Sequence, residues 1–247
     1  MKQKGVGIPV LILDAHAHCG LTLPFEKLQP YWEAARIDGG VLFAPVEEIY
    51  DRYDYSFTDS QFYQQSRKRV HAYLESLQGK TIFTYWFIWN DFAFPPNSFK
   101  GIKWHRHSSE PEYNYSSERF EPCLNYICSK KLPIIIEEEF HYTLELLQKI
   151  DGRSVAIIPH LGMLNGGYAR LKQAGVFENT AVYVDTALAG SNEIRDFTQN
   201  YGPDRILFGS DFPFGVPAKE LAKLENIFSG AELKKVLGEN LLALLPA

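Results

Sequence analysis

The residues Asp14-Ala15-His16-Ala17-His18 close an apolar run that begins at Val10. Strand side chains alternate between faces, so Asp14, His16 and His18 are expected on one face, and two imidazoles two residues apart can grip one divalent ion. Such a triplet arises often by chance, and its place at a strand's end gives it weight. Two further polar residues occupy equivalent places. His160 closes Ile157-Ile158-Pro159-His160, and Asp211 closes Leu207-Phe208-Gly209-Ser210-Asp211, each before a turn marked by Gly or Pro. Alone, either residue reads as a helix cap or a satisfied core polar group. Together, His16, His18, His160 and Asp211 read as the donors of a metal site. An ion held by three or four protein ligands lowers the pKa of water from 15.7 toward ~7 and polarises a carbonyl, so the expected chemistry is hydrolysis of an amide, lactone or ester. Imidazoles with carboxylates suit zinc first and manganese second.

The elements that must bring these residues together are short β-branched runs separated by helical patterns. Strands are expected at 10–18, 40–44, 81–89, 101–107, 132–137, 154–160, 180–186 and 205–210, with helices at 24–36, 60–78, 117–130, 142–150, 165–174, 193–200, 218–227 and 231–244. Eight strands alternating with helices over 247 residues is the rhythm of a (β/α)8 TIM barrel, and the Gly-rich first turn of a doubly wound sheet is absent. The expectation is one barrel domain over residues 1–247, with the site at the C-terminal end of the strands. The irregular segments 90–100 and 108–116 each follow a strand and are candidate pocket walls. Trp86, Trp89, Phe92 and Phe94, with Phe212 and Phe214, are candidate aromatic linings, and Arg106 and Arg170 are candidate partners for a substrate carboxylate. His71 and His141 fall on helical patterns and read as surface histidines.

Composition excludes several other classes. Hydrophobic residues make up 45% and charged residues 22%, which is ordinary for a globular chain and excludes a disordered or fibrous one. The net charge is −5 and the 25 basic residues are scattered, so nucleic acid is not an expected partner. No apolar run approaches the ~18 residues of a membrane span, and the first sixteen residues lack a small-residue cleavage site, so the expected location is cytoplasmic. Cys19, Cys123 and Cys128 are odd in number and form no CxxC, which argues against a disulfide framework and a thiolate zinc site. The expected partner is a small-molecule substrate; homo-oligomerisation is left open.

The stretches LDAHAH, GIKWH, PIII followed by a carboxylate, IIPHLG, LFGSDFP and GENLLALL resemble, in order and over nearly the whole chain, the amidohydrolase superfamily, specifically its amidohydrolase-related TIM-barrel hydrolases and decarboxylases. The resemblance implies a distorted barrel and a divalent ion bound by His16, His18 and Asp211, with His160 matching the strand-six histidine. It also implies that Asp211 takes the proton of the attacking water and passes it to the leaving group. Glu137 departs from the pattern, since relatives usually end strand five with His; it is expected as a direct oxygen ligand. Lys103, His105 and His107 share a strand face by their spacing. A strand-four lysine is carbamylated in some superfamily members, but in this group Lys103 reads as a buried charge partner and His105 as a catalytic polar group near the substrate. Non-oxidative decarboxylation on the same barrel and a non-catalytic metal-binding barrel are the alternatives. A phosphoesterase barrel is disfavoured because Phe212-Pro213 follows Asp211 where those enzymes usually carry a His, and a barrel nuclease because Lys103 stands where a strand-four Glu is wanted.

Overall fold

The computed structural model describes residues 10–246, so the N-terminal segment weighed as a leader lies mostly outside the described residues. Eight parallel strands run in the order of the chain: β1 Leu13–His18, β2 Gly39–Phe43, β3 Ile82–Phe87, β4 Gly101–His105, β5 Ile134–Glu137, β6 Ala156–Ile158, β7 Val182–Asp185 and β8 Ile206–Leu207. Helices α1 Phe25–Ala35, α2 Gln61–Ser76, α3 Phe120–Ser129, α4 Phe140–Ile150, α5 Tyr168–Gln173, α6 Ser191–Tyr201 and α7 Pro217–Glu225 lie between or after them. The expected final helix is broken into α8 Gly230–Lys234, a π-helical turn and α9 Asn240–Leu244. This is the expected (β/α)8 barrel, with two departures that distort it.

The first departure is at the seam. β8 is two residues long, and closure onto β1 runs past it through Ala15 N–H to Phe208 O at 2.7 Å, Asp211 N–H to His16 O at 2.7 Å and His18 N–H to Phe212 O at 2.9 Å. The second is between β3 and β4, where residues 88–100 connect the strands without a helix. There the outer layer is aromatic: Phe92 and Phe120 pack on Trp104, and Phe99 on Trp86. Aromatic burial replaces the missing helix.

The core has two shells. Leu13, Ala15, Val41, Phe43, Tyr85, Ile135, Ile157 and Leu207 fill the barrel, with Leu241 of α9 packed on them. A larger apolar layer lies between strands and helices. β2 starts with Gly39 and Gly40 because neighbouring backbones crowd it: a Cβ at Gly39 would stand 2.1 Å from Thr81 O. Among the described residues no helix is long and apolar enough to cross a membrane.

His71 is not the surface residue expected from its helical pattern. It is 3% exposed, its ring stacks on Trp86 at 3.7 Å, and its Nε2 accepts the Phe87 N–H at 3.2 Å. Burial, assisted by the Arg67 charge, pushes its pKa down to about 3. In the unfolded chain a histidine takes up its proton near the ordinary ~6.5, so below that pH the unfolded state binds more protons and stability falls with pH. By about pH 5 this one group withdraws about 2 kcal/mol. His71→Gln keeps an acceptor for the Phe87 N–H and does not titrate. Its urea midpoint should therefore drop less than that of the wild type between about pH 7.5 and about pH 5.

Candidate metal centre and substrate pocket

β1 does not alternate cleanly. Its register with β2 shifts between Asp14 and Ala17. The irregularity separates Asp14 from the two histidines it was expected to join. Asp14 accepts from Trp32 Nε1 of α1 at 3.0 Å and from the N–H and Oγ of Ser210 at 2.9 and 2.5 Å, fastening β1 to α1 and to the segment after β8. Burial raises its carboxyl to about 7 despite those donors. His16 and His18 remain together, facing Asp211.

Nε2 of His18 lies 3.1 Å and Nε2 of His16 3.4 Å from Asp211 Oδ1, while Nε2 of His160 lies 3.9 Å from Asp211 Oδ2. Ligand atoms ~2.0–2.2 Å from a tetrahedral ion stand ~3.3–3.6 Å apart, so His16, His18 and Asp211 suit one divalent ion, while His160 groups with His16 and Glu137. The tautomers suit it too. Nδ1–H of His16 donates to Asp185 Oδ2 at 2.8 Å and Nδ1–H of His160 to Ala187 O at 3.1 Å, which leaves both Nε2 atoms turned to the centre. Burial and then Lys103 push His16 down to about 4, keeping it a neutral imidazole. Burial works against the charge on His160 as well, but Glu137, Asp185 and Asp211 outweigh it and raise that ring to about 9. Carboxylates that hold a proton this firmly also favour a dication in its place. Asp211 is opposed by burial, yet His18, His16 and His160 hold it down at about 2, so it is ionised.

Two backbone features aim these groups. His160 and Leu161, in the 3₁₀ turn after β6, have φ of 54° and 51°, and Asp211 has φ of 53°. Left-handed backbone at non-glycine residues is costly and persists where surrounding structure fixes it; here Asp185 Oδ1 takes the His160 N–H at 3.0 Å and His16 O takes the Asp211 N–H. Gly209 completes the fit, since a Cβ there would stand 3.0 Å from His16 Cβ.

β4 and β5 are neighbouring parallel strands whose ends set His105 beside Glu137. Lys103, His105 and His107 converge, as their spacing predicts, and their common target is Glu137: Lys103 Nζ is 2.6 Å from Oε2, and Nε2 of His107 and of His105 are 2.9 and 3.2 Å from Oε1. Burial opposes the charge on Glu137, but these neighbours hold its pKa well below the usual carboxylate range. Glu137 Oε2 is also 3.8 Å from His160 Nε2. Next to it, Glu138 is buried under Arg106 and Tyr115, and Glu139 holds the same arginine.

The centre opens into a cavity of about 390 Å³, bordered by His18, Asp211, Glu137, His105, His107 and Arg52 on the polar side and by Leu23, Val46, Leu164, Leu188, Pro213 and Phe214 on the apolar side. That is within the size range of small-molecule sites, roughly 300–1,000 Å³. The aromatic residues of 86–94 do not border it. Trp89 is stacked on Tyr50, Trp86 on His71, and Phe94 on Tyr126. Arg106 is locked to Glu138 and Glu139, and Arg170 lies over the Phe140 ring. The arginine at the cavity is Arg52, tied to Glu47 and Glu110; Glu110 in turn accepts from Tyr50 OH at 2.6 Å and from the His107 N–H at 3.1 Å. Sequence reasoning missed Arg52, Glu110 and Asp185. Asp185 had a signal, since it ends an apolar strand just as Asp211 does; the other two sit in loops with no pattern.

The family model described as amidohydrolase matches residues 97–246, a span that includes Glu137, His160 and Asp211 and leaves out the strand-one histidines. No curated protein matches the chain. Solved structures share the fold at low identity. A protein provisionally named 2-pyrone-4,6-dicarboxylic acid hydrolase from Pseudomonas putida is 14% identical with a TM-score of 0.68, covering 96% of this chain and 98% of its own. The 5-carboxyvanillate decarboxylase of Sphingomonas paucimobilis is 11% identical with a TM-score of 0.71, covering 96% and 99%. The 2,6-dihydroxybenzoate decarboxylase of Rhizobium is 13% identical with a TM-score of 0.69, covering 95% and 97%.

Asp185 touches the centre only through His16 and the His160 backbone. Asp185→Asn keeps the shape but weakens the grip on Nδ1–H, so zinc affinity by chelator competition should fall about 10 to 100-fold, as for other such partners of ligating histidines.

Proposed function

The chain belongs to the amidohydrolase family of enzymes, and from that premise we propose that it is a metal-dependent hydrolase acting on a lactone, ester or amide of a small molecule. The observation that carries this reading is a pair of donor sets that share His16, one with His18 and Asp211 and the other with Glu137 and His160, beside a cavity that His18, Glu137 and Asp211 border. His16, His18, Glu137, His160 and Asp211 would hold a divalent ion, zinc first and manganese second. Such an ion supplies Lewis acidity toward water and a carbonyl oxygen.

The remaining chemistry belongs to the side chains. Asp211 is ionised and borders the cavity, so it can take a proton from water as the water oxygen bonds to the carbonyl carbon and the π pair moves to the carbonyl oxygen. As that pair returns, the bond to the leaving oxygen or nitrogen breaks and Asp211 returns the proton to the leaving group. His105 borders the same cavity and is the candidate hydrogen-bonding partner for a substrate oxygen. Leu164, Leu188 and Phe214 offer an apolar wall that displaces water from the reacting bond. Pyrone lactones and hydroxylated aromatic acids head the substrate screen, because the similar folds from Pseudomonas putida and Rhizobium are named for such compounds.

Two results are expected. Elemental analysis should find about one zinc or manganese per chain after incubation with either ion, and His16→Ala with His18→Ala should abolish the uptake. Asp211→Asn keeps one oxygen for the ion and loses the basic carboxylate, so turnover on whichever substrate the screen yields should fall about 10² to 10⁴-fold with much of the metal retained. Unchanged turnover removes Asp211 from proton transfer. Release of CO2 without uptake of water reassigns the reaction to decarboxylation.

A further inference from the structure

Residues 88–100 join β3 to β4 without a helix, and the aromatic residues there do not fill the whole space beside α2. One stripe of α2, Gln64, Arg67, Lys68, His71, Ala72 and Glu75, spaced by three and four, lines a cavity of about 330 Å³. Its other wall comes from Trp86 of β3 and from Asp91, Pro96 and Phe99 of the connection. This cavity shares no lining residue with the one at the barrel mouth.

Two groups of this stripe, one helical turn apart, are buried without a hydrogen-bond partner: Nε of Arg67 and Nδ1 of His71. Both are donors. Arg67 directs its Nη atoms to Asp59, Asp91 and the Ile49 carbonyl, which leaves Nε–H alone. His71 accepts the Phe87 N–H on Nε2, and burial keeps the ring neutral, so its single hydrogen is on Nδ1. Buried donors without acceptors are rare in native proteins, and each calls for a cause. Here both side chains border the same cavity, and an acceptor lodged in it would serve the two.

The lining also fixes the kind of acceptor. Asp91 and Glu75 already equal Arg67 and Lys68 in number, so an anion would unbalance the cavity. An uncharged oxygen would not. Trp86, Pro96 and Phe99 offer an apolar surface for whatever carries that oxygen.

We propose that the cleft between α2 and residues 88–100 is a second binding site, for an uncharged small molecule whose carbonyl oxygen accepts from Arg67 and His71 while its apolar part lies against Trp86 and Phe99. The inference is independent of the reaction at the barrel mouth and stands or falls without it.

The test titrates the full, isotope-labelled chain with acetophenone, an uncharged aromatic ketone, and with two probes of nearly the same shape. One is α-methylstyrene, which lacks the oxygen, and the other is benzoate, which is charged. Correlation NMR follows the Arg67 Nε–H and His71 Nδ1–H signals. Both should shift together and saturate with acetophenone, at an affinity about 2 to 10-fold above that for α-methylstyrene, the usual worth of a neutral hydrogen bond. Benzoate should bind more weakly than the ketone. Ala72 is exposed and borders the cavity, so Ala72→Leu takes up its space from the solvent side and should weaken acetophenone by about tenfold. Circular dichroism establishes that this variant is folded, and the comparison of the three probes on the wild type decides without it. No shift of either N–H up to the solubility limit of the ketone means that water alone meets these donors, and overturns the inference. Equal affinity for α-methylstyrene, tighter binding of benzoate, or undiminished binding by folded Ala72→Leu each overturns it as well.

Discussion

A charge inside a barrel must be matched there, because water cannot reach it, and at the mouth of this barrel Asp14, Lys103, Arg106, Glu137, Glu138, Asp185 and Asp211 are all buried. The arrangement works because each is given partners on a different strand or helix. Asp14 binds α1 and Ser210, Asp185 binds His16 and the His160 backbone, Glu137 binds three groups from β4 and its extension, and Arg106 binds Glu138 and Glu139. Removing one partner leaves another charge stranded, so the polar network constrains strand register as strictly as the apolar shells do. Apolar packing sets where the strands lie; charge matching sets which residues face inward.

The slip in β1 shows the two demands being reconciled. Below it, Leu13 and Ala15 belong to the barrel interior; above it, His16 and His18 face Asp211. Strict alternation from Leu13 and Ala15 would turn both histidines outward. Bulges at barrel rims commonly re-aim side chains near functional sites, and this one gives β1 a lower half for packing and an upper half for chemistry.

Much of this is legible in the sequence. The eight strands and their order follow from short apolar runs at regular spacing, because strands covered on both faces leave a strong signal. His16, His18, His160 and Asp211 stand out because each polar residue interrupts such a run at its end. The role of Asp14 is hidden because period-two reasoning cannot see a bulge. The burial of His71 is hidden because one imidazole among polar helix residues gives no hint that Trp86 covers it. The aromatic residues of 86–94 look like pocket linings when they instead fill the place of a missing helix, and that substitution depends on tertiary contacts the local sequence does not encode. Arg52, which borders the cavity, and Glu110, which holds it, sit in irregular segments, where no periodicity exists to read.

The seam between β1 and the residues after β8 has a consequence for how the chain reaches this structure. The contact between His18 and Asp211 joins residues 193 apart in sequence, and a two-residue β8 leaves few ladder bonds to draw that seam shut. Loop closure of that span costs entropy before any contact there is gained. The barrel can therefore form most of its wall from neighbouring strands, β1 onto β2 and onward, with the joining of first strand to last left as the late event. The residues that complete the circle are the same ones that complete the site. A molecule with an unclosed seam is thus also one without its chemistry, and conformational maturation and catalytic competence become a single step.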